Sequence, residues 1–279
     1  MQSRRRTKRT AGRSLATTLP VLILFTILFS AGVGGAQTVE ELAKKAQNPI
    51  SDLISVPIEE NANFGGLGGE VQHVIYVNPV YPLRLNDKWL LINRAIIPAI
   101  YQPSSVSGAG DEFGLGDINF TTFLSPREAP GNYFWGIGPS LTVPSATAEV
   151  LGEEKWSLGP SFVFMKEHGP WVMGFLVSNV WSIGGNSDRA DVNRGFLQPW
   201  LYFNFPSGAY IFYEPVITVD WKADSDESWT VPLGIGTGRI FTIGSQYMNA
   251  QIAGFYNVGK ATDASDWTIR FQIQFLFPN

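Results

Sequence analysis

The 279-residue sequence contains no cysteine and two histidines, and charged residues make up only 16% of it. Without cysteine there is no disulfide framework and no thiolate metal site. His73 and His168 cannot form a metal motif between them. His168 falls in the expected turn Glu167-His168-Gly169-Pro170, and His73 shares a strand face with Val71, Ile75 and Val77. Neither a metal nor a cofactor is expected. Past residue 36 there is also no apolar run near the roughly 20 residues that a membrane helix needs.

Acid is missing from the first 36 residues, where Arg4, Arg5, Arg6, Lys8, Arg9 and Arg13 lead into an apolar stretch over Leu19–Ser30. Gly34-Gly35-Ala36 follows. Basic, then apolar, then small is the order of a cleavable export signal, expected here over 1–36. An uncleaved anchor over Leu15–Val33 would contain Pro20 and three threonines and would barely span. Removing the six basic residues leaves 14 Lys and Arg against 24 Asp and Glu, a net charge of −10. Nucleic acid is thereby excluded as a partner, for want of a basic stripe to neutralise phosphates.

What is present in quantity is aromatic residue and glycine: 9 Trp, 9 Tyr, 19 Phe and 29 Gly. An exported chain, poor in charge and rich in aromatics but without membrane helices, suggests a transmembrane β-barrel. A soluble β-sandwich is the competing fold. Two-residue alternation decides between them. Trp267, Ile269, Phe271, Ile273, Phe275 and Phe277 fall on one face of a strand, and Thr268, Arg270, Gln272 and Gln274 on the other. Similar segments recur near 50–61, 70–82, 88–101, 115–124, 132–143, 155–166, 170–182, 193–205, 209–221, 228–241, 246–258 and 266–277. That makes an all-β, up-and-down antiparallel barrel of about twelve strands over 50–279, an even number as a single-chain barrel requires.

Connections alternate in length. Asn86-Asp87, Pro126–Gly131, Glu167–Gly169, Pro206–Gly208 and Gly244-Ser245 are short. Phe64–Gly69, Gln102–Gly114, Ser145–Glu154, Gly184–Val192, Lys222–Glu227 and Gly259–Ser265 are longer, polar and mostly acidic. Short periplasmic turns and long external loops are the barrel rule, and a Greek-key sandwich has no reason to obey it. Trp89 with Tyr101, and Trp171 with Trp181, share strand faces at spacings that bridge a roughly 25 Å apolar band. With Trp221 and Trp267 they are the expected interfacial girdle. Between the signal and the barrel, residues 37–49 form a short periplasmic segment. Val39, Leu42, Ala43 and Ala46 have helical spacing there, and Pro49 ends it. The helix either crosses the barrel mouth or hangs free.

No motif carries catalytic chemistry. Phe113-Gly114-Leu115-Gly116-Asp117 and Gly234-Ile235-Gly236-Thr237-Gly238 look like phosphate loops but open no helix, so they fail that test. In a strand, Gly234, Gly236 and Gly238 would point one way and leave room for bulky neighbours. Some twelve-stranded barrels are Ser/His phospholipases, but His73 has only Ser55 and Asn93 loosely beside it, and a nucleophile needs its base within hydrogen-bond reach. The side chains opposite the aromatic faces are the candidates for a lumen: Arg94, Asp117, Asn119, Gln198, Asn204, Glu214, Asp220, Gln251, Arg270, Gln272 and Gln274. They form a polar channel lining, or pair with one another and plug the barrel.

Several stretches resemble a known family: Ala43–Pro57, Phe113–Asn119, Gly169–Val172, Trp229–Gly234 and Phe271–Pro278. They are similar to proteobacterial outer-membrane proteins assigned as transporters and related to barrels of the meta-cleavage pathway of phenol degradation, some mislabelled with the name neuromedin U. The resemblance implies a barrel and uptake of small organic molecules, and supplies no functional residues. The aromatic closing strand also resembles the signal read by the barrel-assembly machinery, although Pro278-Asn279 follows Phe277. The expectation is an outer-membrane channel passing small organic solutes, aromatic or hydrophobic ones among them. Its partners would be outer-membrane lipid and lipopolysaccharide, the assembly machinery and the solute. A membrane-embedded lipid-modifying enzyme and a plugged structural barrel are the alternatives.

Overall fold

A computed structural model describes residues 39–66, 69–104 and 110–278, so the expected signal over 1–36 lies outside the described residues. The chain begins with α1 (Val39–Gln47) and then runs through twelve antiparallel strands. They are β1 (Ile54–Phe64), β2 (Gln72–Val77, continuing as Val80–Arg84), β3 (Trp89–Gln102) and β4 (Glu112–Leu115, continuing as Ile118–Pro126). Next come β5 (Tyr133–Val143), β6 (Lys155–His168), β7 (Trp171–Gly185) and β8 (Asn193–Asn204). The last four are β9 (Ala209–Tyr213, continuing as Ile217–Asp220), β10 (Trp229–Ile243), β11 (Gln246–Gly259) and β12 (Trp267–Phe277). Two of the interruptions fall at Pro79 and Pro215, which have no N–H to give the ladder.

Each strand pairs with its sequence neighbours, and β1 pairs with β12 from Ile54↔Phe277 to Phe64↔Trp267. The sheet therefore closes into a cylinder with no unpaired edge among the described strands. Five tight connections and both described termini gather at one end, and the long loops gather at the other. The tight turn between β10 and β11 is made by Gly244 at φ +61°, a conformation costly for a residue with a Cβ.

Eight of the nine tryptophans lie on the outer surface, in two belts. At the short-turn end Trp89 meets Trp135 edge-on at 6.1 Å, and Trp171 meets Phe203 at 4.8 Å. At the long-loop end Trp221 meets Trp229 at 5.7 Å and Tyr256 meets Trp267 at 4.7 Å, with Trp156 and Trp181 also exposed there. Tyr101 occupies this second belt, its hydroxyl donating to Asp111 at 2.6 Å. The ninth, Trp200, points inward and is buried.

The inner face departs from the expected lining of amides and charges. Ile92, Phe123, Val163, Met165, Val172, Tyr202, Tyr210 and Phe212 are all inside and almost fully buried, and they form one cluster with Trp200 and Ile50. Alternation cannot distinguish lipid-facing from lumen-facing apolar residues once both faces of a strand are apolar. Space for Tyr210 and Phe212 comes from the β10 glycines, because a Cβ on Gly236 or Gly238 would run into those rings. Gly-Pro-Ser occurs twice, at 138–140 on β5 and 159–161 on β6, and the prolines face each other across the ladder. A Cβ on Gly138 would fall on the Thr122 carbonyl oxygen of β4.

Gly138→Ala should therefore lower stability by about 1–3 kcal/mol, the range for overpacking, in reversible urea unfolding of the refolded barrel. Gly184→Ala, where an added Cβ meets nothing within 4 Å, should be close to neutral.

Candidate functional site

The polar side of the lumen is built by β1, β11 and β12, whose inward positions carry Ser55, Asn61, Gln251, Arg270, Gln272 and Gln274. The apolar cluster fills the opposite side of the short-turn half. Three cavities are stacked beside this polar seam. A mouth of about 680 Å³ lies among the long loops, lined by Asn63, Glu70, Gln102, Glu112, Val150 and Asp263. It shares Asn63 and Ser265 with a central cavity of about 630 Å³. The central cavity is walled by amides and hydroxyls, among them Asn61, Asn119, Thr121, Ser140, Ser178 and Thr268, and by Ile96, Leu176, Val180 and Phe196. A narrow cavity of about 110 Å³ continues toward the short turns, between residues 45–51 of the N-terminal segment and Ser55, Gln251, Gln272 and Gln274 of the wall.

The N-terminal segment sets this narrow passage. α1 does not hang free; Leu42 and Ala43 pack on Leu53, Ile240 and Leu276 inside the short-turn mouth. Its last residue is fixed by a reciprocal amide pair. Gln47 Nε2 donates to Asn204 Oδ1 at 2.8 Å and Asn204 Nδ2 donates to Gln47 Oε1 at 3.0 Å. A buried amide satisfied on both sides resists removal more than an exposed one.

Where the central and narrow cavities adjoin, Glu59, Arg94, Glu214 and Arg270 converge. Arg270 Nε lies 3.3 Å from Glu59 Oε1 and donates to Asn61 Oδ1 at 3.2 Å, and its guanidinium stacks 4.9 Å from the Phe255 ring. A further Arg270 N–H donates to the Glu214 backbone oxygen at 3.3 Å. Glu214 accepts from Tyr202 Oη at 2.7 Å and from Gln198 Nε2 at 3.0 Å. Two acids and two bases make the constriction neutral overall. Three buried polar atoms beside these cavities, Asn78 Oδ1, Ser161 Oγ and Trp200 Nε1, have no hydrogen-bond partner among the described residues.

The structure sorts the expected lining residues. Arg94, Asn119, Gln198, Glu214, Gln251, Arg270, Gln272 and Gln274 line the central or the narrow cavity. Asp117 does not: its carboxylate accepts from the backbone N–H groups of Ser145, Ala146 and Glu153, at 3.1, 3.1 and 2.7 Å, and so folds loop 144–154 over the rim. Asn204 is consumed by α1. Asp220 sits at the rim, paired with Arg194 at 3.4 Å, which also pairs with Glu153. Strand alternation places a side chain on a face but not at a height, so it could not separate these three. Missed altogether were Glu59 and Asn61, whose stretch Glu59-Glu60-Asn61 hides the alternation behind a charge run, and Tyr76, which also lines the central cavity.

The Ser/His pair does not form. His73 lies on the outer surface with its Nδ1 2.9 Å from Glu60 Oε1, and its ring neighbour is Tyr101. Ser55 is buried on the inner face, paired with Val80 and Leu276 near the other end of β1. Asn93 is bonded to Thr122, whose hydroxyl donates to it at 3.1 Å.

No family model matches the chain, and no curated relative matches it. Solved structures do. The chain is similar to the COG4313 outer membrane channel from Pseudomonas putida F1, at 16% identity and a TM-score of 0.63, over 88% of this chain and 100% of that one. Lower similarity extends to outer membrane phospholipase A from Escherichia coli (12% identity, TM-score 0.47, 87% of this chain and 97% of that one). It extends also to the CymD monoaromatic hydrocarbon channel (9% identity, TM-score 0.44, 89% and 95%). At these identities the likeness is one of fold.

Two measurements probe the site. Arg270→Met leaves Glu59 buried without its cation, and should cost about 3–5 kcal/mol in unfolding free energy. A second concerns a clasp between long loops. Thr262 donates its hydroxyl and its backbone N–H to Glu227, which holds that carboxyl below the usual carboxylate range. A depressed folded value means that the clasp is fully present above the ordinary carboxylate range and is lost as pH falls through the lowered value. Hydrogen exchange at the Thr262 amide should accelerate over that acidic window beyond the intrinsic rate, and Glu227→Gln should abolish the acceleration.

Proposed function

We propose that this chain is an outer-membrane channel for passive passage of small organic solutes, with the long loops outside the cell and the short turns and α1 in the periplasm. The observation that carries this reading is the run of three cavities along the polar seam, from the loop mouth to the edge of α1. The two aromatic belts support a membrane setting, since amphipathic rings favour both interfaces of a bilayer. An expected export signal, the resemblance to outer-membrane transporters and the similar fold of an outer membrane channel point the same way.

The central cavity, about 630 Å³, is large enough for a compact organic molecule and falls within the size range of ligand sites, roughly 300–1,000 Å³. Its mixed wall suits a solute with an apolar body and a polar end. Aromatic compounds of the kind implied by the resemblance fit that description. The lipid-modifying alternative has no support from the geometry, because the serine and histidine it would need lie on opposite sides of the wall.

The purified protein in planar lipid bilayers should show discrete conductance steps. Deleting residues 39–49 should raise the unit conductance severalfold, because those residues wall the narrow cavity. A silent wild type and an equally silent deletion, both migrating as folded barrels on unheated gels, would leave a plugged barrel instead.

A further inference from the structure

Arg94 differs from the other charged groups at the constriction. Both oxygens of Glu214 are already engaged, by Tyr202 and Gln198. Glu59 is held by Asn61 and Arg270. Arg270 is anchored in place through its Nε–H on Asn61, a terminal N–H on a backbone oxygen and its pairing with Glu59. Arg94, by contrast, makes no hydrogen bond and no ion pair within 4 Å to any described residue, and Glu214 and Glu59 act on it only from further away. Its guanidinium nevertheless borders both inner cavities. A guanidinium presents five donors in a planar fork that matches a carboxylate in two parallel bonds.

We infer that Arg94 is the anion-binding step of the pathway, and that the solutes carried are small organic carboxylates. Glu214 is capped on both oxygens and Glu59 on Oε1, which leaves an ammonium group a single carboxylate oxygen, whereas a carboxylate finds a free planar fork. Ile96, Leu176, Val180 and Phe196 on the central-cavity side then receive the organic body. The transport consequence rests on the channel reading above; the binding step does not.

Calorimetric titration of the purified full-length barrel with benzoate, benzamide and benzylamine tests it, alongside conductance in benzoate solutions. Benzoate should bind at least tenfold more tightly than either comparator. Arg94→Met should weaken benzoate at least tenfold, Arg94→Lys by less, and Arg84→Gln, at an exposed short turn away from the cavities, should leave binding unchanged. If Arg94→Met fails to migrate as a folded barrel, the Lys variant and the ligand series decide. Equal affinity for benzoate and benzamide, unaltered benzoate binding in Arg94→Met, or no benzoate binding in the millimolar range overturns the assignment. Arg94-dependent binding in a barrel that conducts nothing would keep the subsite and remove the channel. Conduction without preference for benzoate would do the reverse.

Discussion

Everything in this molecule depends on the ladder between its first and last strands. A sheet with polar edges is unstable in hydrocarbon, where each unpaired N–H or C=O costs several kcal/mol. The run from Ile54↔Phe277 to Phe64↔Trp267 removes both edges at once. The seam also fixes the functional wall. Glu59 and Asn61 come from β1 and Arg270 from β12, so the ion pair and hydrogen bond at the constriction span the two ends of the chain.

Inside the cylinder two kinds of filling share the space. Rings and aliphatic chains pack the β3–β9 side at the short-turn end, while amides and charges keep the β1, β11 and β12 side open. Channel and plug are therefore not exclusive descriptions of this barrel. The apolar packing gives rigidity to one wall. The amides of the polar wall are held by one another, as where Asn249 Nδ2 donates to Gln274 Oε1 at 3.1 Å, and rings would offer them few partners.

Strand number, strand limits and the alternation of long and short connections were legible in the sequence, because each rests on a two-residue period or on turn residues. The twelve expected segments and the twelve observed strands agree to within a few residues. The short helix was legible too, from Leu42 and Ala43. Its position was not: docking depends on Gln47 and Asn204, 157 residues apart, and no local pattern links them. The inward aromatics were hidden for a related reason. Trp200, Tyr210 and Phe212 look like girdle residues until glycines on neighbouring strands, Gly174 for the first and Gly238 and Gly236 for the others, show where the room for them is.

The docking of α1 has a consequence for how the molecule is made. The helix precedes the whole barrel in the sequence, yet its contacts are with β8, β10 and the end of β12, which come much later. Until those strands arrive, Leu42 has only Leu53 of its native cluster and the Gln47 amide has no native partner. Once β1 meets β12 the closed ladder offers the helix no sideways entry, and only the short-turn mouth remains as a way in. Seating of the first segment is thus completed only when the last strands are in place, and a barrel that lacks its helix has a wider short-turn mouth.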